Sequence, residues 1–168
     1  MTLGRSIIIA SIALLSATAQ GAERSFDGIT CKSYIPSALI GRHMPNERVV
    51  TIETRYKEIG LKDLGAYGME AAGDPWTLIS WQICGREYLL LERRGIVQDV
   101  LASPLPQESA QFTIASCVVD GSSLHGTAVI FVSAKERQLP KPVEHAWLIN
   151  DKTIRFSKIK GKEIVCTP

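Results

Sequence analysis

The chain contains no apolar run long enough to cross a bilayer, since its longest apolar stretch falls well short of the roughly 20 residues that a membrane helix needs. No two of its four cysteines are close enough for a C-x-x-C redox motif, a zinc knuckle or a C-x-x-C-H haem attachment. G-x-S-x-G, Walker, dinucleotide-binding and calcium-loop patterns are absent, as are Asn-x-Ser/Thr acceptors. Charge of one sign is lacking too: 19 Lys and Arg stand against 17 Asp and Glu. That balance points to neither nucleic acid nor an anionic membrane as a partner. The sequence therefore implies no cofactor, no metal and no motif-borne catalysis.

What is present begins with the first 21 residues. Arg5 is followed by the apolar run Ile7-Ile8-Ile9-Ala10-Ser11-Ile12-Ala13-Leu14-Leu15 and by the small residues Ser16-Ala17-Thr18-Ala19-Gln20-Gly21. A basic start, a short apolar centre and a small-residue exit make a secretory signal peptide, cleaved after Ala19 or Gly21. Residues 22–168 are then one domain, placed in the periplasm or outside the cell, with no transmembrane segment after cleavage. Arg5 is the leader's only charged residue, so that domain carries a net charge of +1. With 45% hydrophobic and 21% charged residues, the composition is that of a globular chain.

Cys31, Cys84, Cys117 and Cys166 are an even set in a chain addressed to an oxidising compartment, which reads as two disulfides. The stretch Ser103-Pro104-Leu105-Pro106-Gln107 divides them into two pairs. The preferred connectivity is therefore Cys31–Cys84 with Cys117–Cys166.

The remaining pattern is mainly that of strands, and it predicts an antiparallel, mainly β domain, sandwich-like or barrel-like, with one or two short helices at most. Residues 76–83 and 88–92 flank Cys84-Gly85-Arg86-Glu87, where a glycine opening a two-residue loop predicts a type II′ hairpin. Ile79, Trp81, Ile83, Tyr88 and Leu90 fall on one face, and Trp76, Leu78, Cys84, Leu89 and Leu91 on the other. Apolar residues on both faces predict a hairpin covered on two sides. A second hairpin joins 147–149 to 154–156 through Asn150-Asp151-Lys152-Thr153, with Trp147, Ile149, Ile154 and Phe156 on its core face. A third pairs 112–119 with 127–134. Further strands are expected at 29–34, 48–56, 96–101 and 163–166. A helix is expected over 57–64, closed by Gly65, with a weaker helical signal at 36–39.

Candidate functional residues are few. His43, His125 and His145 lack metal-ligand spacing, and ordinary surface or strand-end positions account for them. Asp120-Gly121-Ser122-Ser123-Leu124-His125 has hydrolase residue types but reads as a hairpin loop. The acidic residues Glu53, Asp63, Glu70, Asp74, Glu92 and Asp99 form no pair that spacing alone would single out. For binding, Lys158, Lys160 and Lys162 share a side if their segment is extended, Arg93 and Arg94 end a strand, and Trp76 is the tryptophan not assigned to a core face. The function expected is non-catalytic: a module that binds another exported protein, as an inhibitor, an immunity protein or an accessory factor of an envelope complex. An envelope hydrolase without a motif, or a carrier of a small ligand or glycan, is the alternative.

Overall fold

The computed structural model describes residues 26–69, 75–105, 110–133 and 141–167. The leader read in residues 1–21 lies outside these residues, as do Glu70 and Asp74. The chain folds as two antiparallel sheets, with short helices on the first.

The first sheet is a meander of β1 (Lys62–Met69), β2 (Trp76–Ile83), β3 (Arg86–Arg93) and β4 (Ile96–Ala102), in the order β1-β2-β3-β4. In the β2–β3 hairpin, Trp81 pairs with Tyr88 and Ile79 with Leu90, so the predicted faces hold. The turn differs from the expected one. Ile83 pairs with Arg86, which leaves Cys84-Gly85 as the two loop residues, at φ 53° and 75°. Positive φ at both positions makes this a type I′ turn, not type II′. As a turn residue, Cys84 packs with the helix-side core and not with Trp76. The β3–β4 connection uses the same device, with Arg94 at φ 55° and Gly95 at φ 78°.

The helical layer covers one face of this sheet. It consists of α1 (Ile35–Leu39), α2 (Val49–Arg55) and a single 3-10 turn (Lys57–Ile59). Residues 48–56, expected as a strand, are mostly α2. Their β-branched run favours a strand locally, but Ile52, Tyr56 and Ile59 recur at helical spacing and bury together against Trp81, Ile83 and Leu90. The helix expected over 57–64 stops after one turn, because Gly60 adopts φ 58° and the chain enters β1 at Lys62. Gly65 lies inside β1, next to a register shift. Residues 29–34 form turns instead of a strand, with Ser33 N–H donating to the Thr30 carbonyl at 2.9 Å.

The second sheet runs β10-β9-β7-β5-β11-β8, with β6 also on β5. Its strands are β5 (Ala110–Val119), β6 (Ser122–Ser123), β7 (Ala128–Ser133), β8 (Lys141–Pro142), β9 (Ala146–Asn150), β10 (Arg155–Lys158) and β11 (Ile164–Thr167). The third predicted hairpin forms over half its length. Residues 110–115 pair with β7, whereas 116–119 leave it to pair with β11 and β6. The β9–β10 loop is longer than expected, because Asn150 pairs with Arg155. The slip is an even number of residues, so Trp147, Ile149 and Phe156 still share a face. The buried Ile154 sits in the turn at φ 49°.

Three apolar clusters follow from this alternation. Phe26, Ile52, Trp81 and Leu90 lie between helices and first sheet. Trp76, Leu78, Leu89 and Leu91 of the first sheet meet Val129, Phe131, Ile149 and Ile154 of the second. Ala128, Ile130 and Ala146 on the second sheet's other face cluster with Ile164 and Cys166 of β11, and Val143 and Ile159 pack with them. β7 is thus buried on both faces, as its unbroken apolar run implies. Each disulfide staples one part of the molecule: Cys31–Cys84 ties the helical layer to the β2–β3 turn, and Cys117–Cys166 crosses β5 to β11.

Candidate groove on the second sheet

The segment leading from β10 to β11 folds back over the second sheet. Ile159 N–H donates to the Ala146 carbonyl at 2.9 Å, and Val143 N–H donates to the Ile164 carbonyl at 2.8 Å. Between these two bonds lies an open groove of about 790 Å³, lined by Val143, Glu144 and the chain from Lys158 to Ile164. Of these, Val143, Ile159 and Ile164 are buried. Its rim carries Lys158, Lys160 and Lys162, all exposed, with Glu144 and Glu163 also in the lining.

Residues 159–163 lie outside any regular strand, with a bend at Lys162. Ile159 points into the core. Gly161 lies so close to β5 that a Cβ would overlap Val119 Cγ1, a contact that only glycine avoids. Lys160 lies between these two residues, and Lys158 and Lys162 flank them.

Asp120 holds this arrangement in place. It is the left-handed first residue of the β5–β6 turn, at φ 48° and followed by Gly121 at φ 81°. From there Asp120 Oδ1 accepts the Lys162 N–H at 3.0 Å and the Glu163 N–H at 2.9 Å, while Asp120 N–H donates to the Glu163 carbonyl at 3.0 Å. The Cys117–Cys166 disulfide joins the same two strands three residues away on each chain. A loop tied by three hydrogen bonds and a nearby covalent bridge presents its cations with less ordering left for a ligand to impose.

An aromatic pair flanks the lysine rim. Lys158 Nζ sits 5.9 Å from the centroid of the half-buried Trp147 ring, and His145 stacks on Trp147 at 6.3 Å and 19°. A cation held over an indole is attracted by the ring's negative face.

The other sequence candidates lie elsewhere. Trp76 is only 2% exposed, within the inter-sheet cluster, so its ring is covered by the core instead of standing on the surface. Arg93 ends β3 and Arg94 occupies the β3–β4 turn, in the sheet opposite the groove. His43 forms a bridge to Ile96 beside β4, and His125 lies in the loop between β6 and β7. Among the described residues, no three His, Cys, Asp or Glu side chains gather as a metal site. The sequence singled out the three lysines as binding candidates, but not Asp120 or Gly161, which shape the segment around Lys162. Asp120-Gly121 was legible only as a turn, because the loop it grips lies more than 40 residues further along the chain.

Comparison with protein-family models, with curated proteins and with solved structures finds no match.

Proposed function

We propose that this protein is an exported, disulfide-stapled binding module without catalysis of its own, and that its partner is another exported protein. Its two disulfides are consistent with an exported protein, and no helix among the described residues is long and apolar enough to cross a membrane. The observation that carries the reading is the groove. Three lysines and two glutamates line it beside buried Val143, Ile159 and Ile164, on a segment clamped by Asp120, an arrangement suited to recognition. Inhibition of an exported enzyme, immunity to a toxin and service in an envelope complex all use such a rigid surface.

The test is affinity capture from envelope and culture-medium extracts with the oxidised protein as bait. The two control baits are the reduced, unfolded chain and a folded Lys160→Glu/Lys162→Glu variant. One stoichiometric partner, held by the parent and lost with both controls, is the expected result. Turnover of a substrate by the purified protein, abolished by one side-chain change, overturns the reading in favour of an enzyme.

A further inference from the structure

The two disulfides differ in access. Cys117 and Cys166 are buried in the core of the second sheet, at 3% and 0% exposure. Cys31 is exposed and Cys84 half-buried, in the turn between β2 and β3. We infer that Cys31–Cys84 is a redox-sensitive bond, open to exchange with an external thiol, and that its reduction frees residues 26–33 as a strap from the helix-side core.

Exchange begins when a thiolate reaches one sulfur of the bond. Attack at the exposed Cys31 forms a mixed disulfide there, and the electron pair of the old bond leaves on Cys84, which takes up a proton. A second external thiolate attacks the mixed disulfide, and Cys31 leaves as the second protein thiol. Two external thiols are thereby oxidised to one disulfide, and their two electrons and two protons pass to the protein. Lys32, exposed and next to Cys31 in the chain, attracts the incoming anion.

The two sides of the bond are anchored unequally. Without it the turn side stays in place, because Ile83 pairs with Arg86 and Cys84 N–H donates to the Ile59 carbonyl at 2.7 Å. The strap side turns on itself: Ile29 N–H donates to the Phe26 carbonyl, Ser33 N–H to the Thr30 carbonyl and Lys32 N–H to the Thr30 hydroxyl. Asp27 ties it to the helical layer by accepting the Tyr56 hydroxyl at 2.7 Å, and Phe26 packs edge-on against Tyr56 and Trp81 at 5.5 and 5.3 Å. The buried Trp81 indole N–H has no hydrogen-bond partner among the described residues. Opening of this cluster to water relieves that donor, so the strap gives way more readily than a fully satisfied core would.

The experiment exposes the oxidised protein to graded reduced glutathione, traps free thiols with iodoacetamide and maps them by peptide mass. Cys31 and Cys84 are expected to be alkylated at least about tenfold faster than Cys117 and Cys166, because exchange depends on access. Labelling of all four in step, or of Cys117 and Cys166 first, overturns the inference. Amide exchange is then read on the protein alkylated at Cys31 and Cys84 alone, with Cys31→Ser/Cys84→Ser in parallel; the alkylated protein decides if that variant fails to fold. Faster exchange in residues 26–33, with the β2–β3 amides as protected as in the oxidised protein, is the expected result. Unchanged exchange in residues 26–33, or protection lost across the whole first sheet, overturns the strap.

Discussion

Two residues in the first hairpin show how single side chains set its behaviour. Gly85 sits at φ 75°, in the left-handed region, with open space where a Cβ would go. A substitution there meets backbone strain and no clash. Gly85→Val is expected to destabilise by about 1–2 kcal/mol, because a β-branched residue resists that conformation. An unchanged midpoint in urea unfolding would contradict the turn geometry.

Glu87 is the second such residue: buried between the sheets, with Oε1 accepting the Ser80 hydroxyl at 2.6 Å. Burial pushes its carboxyl above the usual carboxylate range, outweighing the opposing pull of Ser80. A raised folded-state pKa means that the native state holds this proton more tightly than the unfolded chain does. Its contribution is full below the unfolded carboxylate pKa, and is lost as pH rises through the folded value. Glu87→Gln should remove that loss, so that parent and variant diverge in the variant's favour from weakly acidic to neutral pH. Parallel stability curves across that range would sink the assignment.

At the scale of elements, two-residue periodicity carried most of the information. The faces of β2, β3, β9 and β10 were legible because a register error of an even number of residues leaves every side chain on its own face. The helices were not, since α2 is built from residues with strand propensity and is chosen by what Ile52, Tyr56 and Ile59 bury. The sequence places the three lysines on one side only if their segment is extended, whereas the chain bends at Lys162, gripped by Asp120 from across a long sequence gap. The disulfides followed from cysteine count, compartment and the proline-rich divider. Cys117 and Cys166 are both almost fully buried and close a span of 49 residues, so Cys117→Ala/Cys166→Ala should cost about 4 kcal/mol in the chain-entropy view. The expected signature is a lower melting temperature together with faster amide exchange in residues 158–164. Parent-like melting would show that the bridge contributes nothing to the fold's stability.

Across the whole molecule, each sheet is drawn from its own half of the chain, and the halves meet through the apolar cluster between them. A polar link reinforces that contact at β4 and β10. Asp99 Oδ2 accepts the Phe156 N–H at 2.8 Å, and Arg155 Nη1 stands 3.6 Å from Asp99 Oδ1. Asp99 was visible in the sequence only as one acid among several, because its partner lies 57 residues away. Asp99→Ala leaves a strand N–H without its acceptor and should destabilise by about 1–3 kcal/mol. Arg155→Ala, which removes only the long and more exposed ion pair, should change stability by less than about 1 kcal/mol. Equal effects of the two would show that the link is not the Phe156 hydrogen bond.

The order of the cysteines along the chain has a consequence for how the protein matures. Cys31 is joined to Cys84 and Cys117 to Cys166, so each cysteine is bonded to its immediate neighbour in the sequence. A chain emerging amino terminus first would complete its first pair before either cysteine of the second had appeared. Oxidation in order of arrival thus selects this connectivity from the three that four cysteines permit. Maturation on that route calls for an oxidant to take up the thiol electrons, and for no enzyme to reshuffle mispaired bonds.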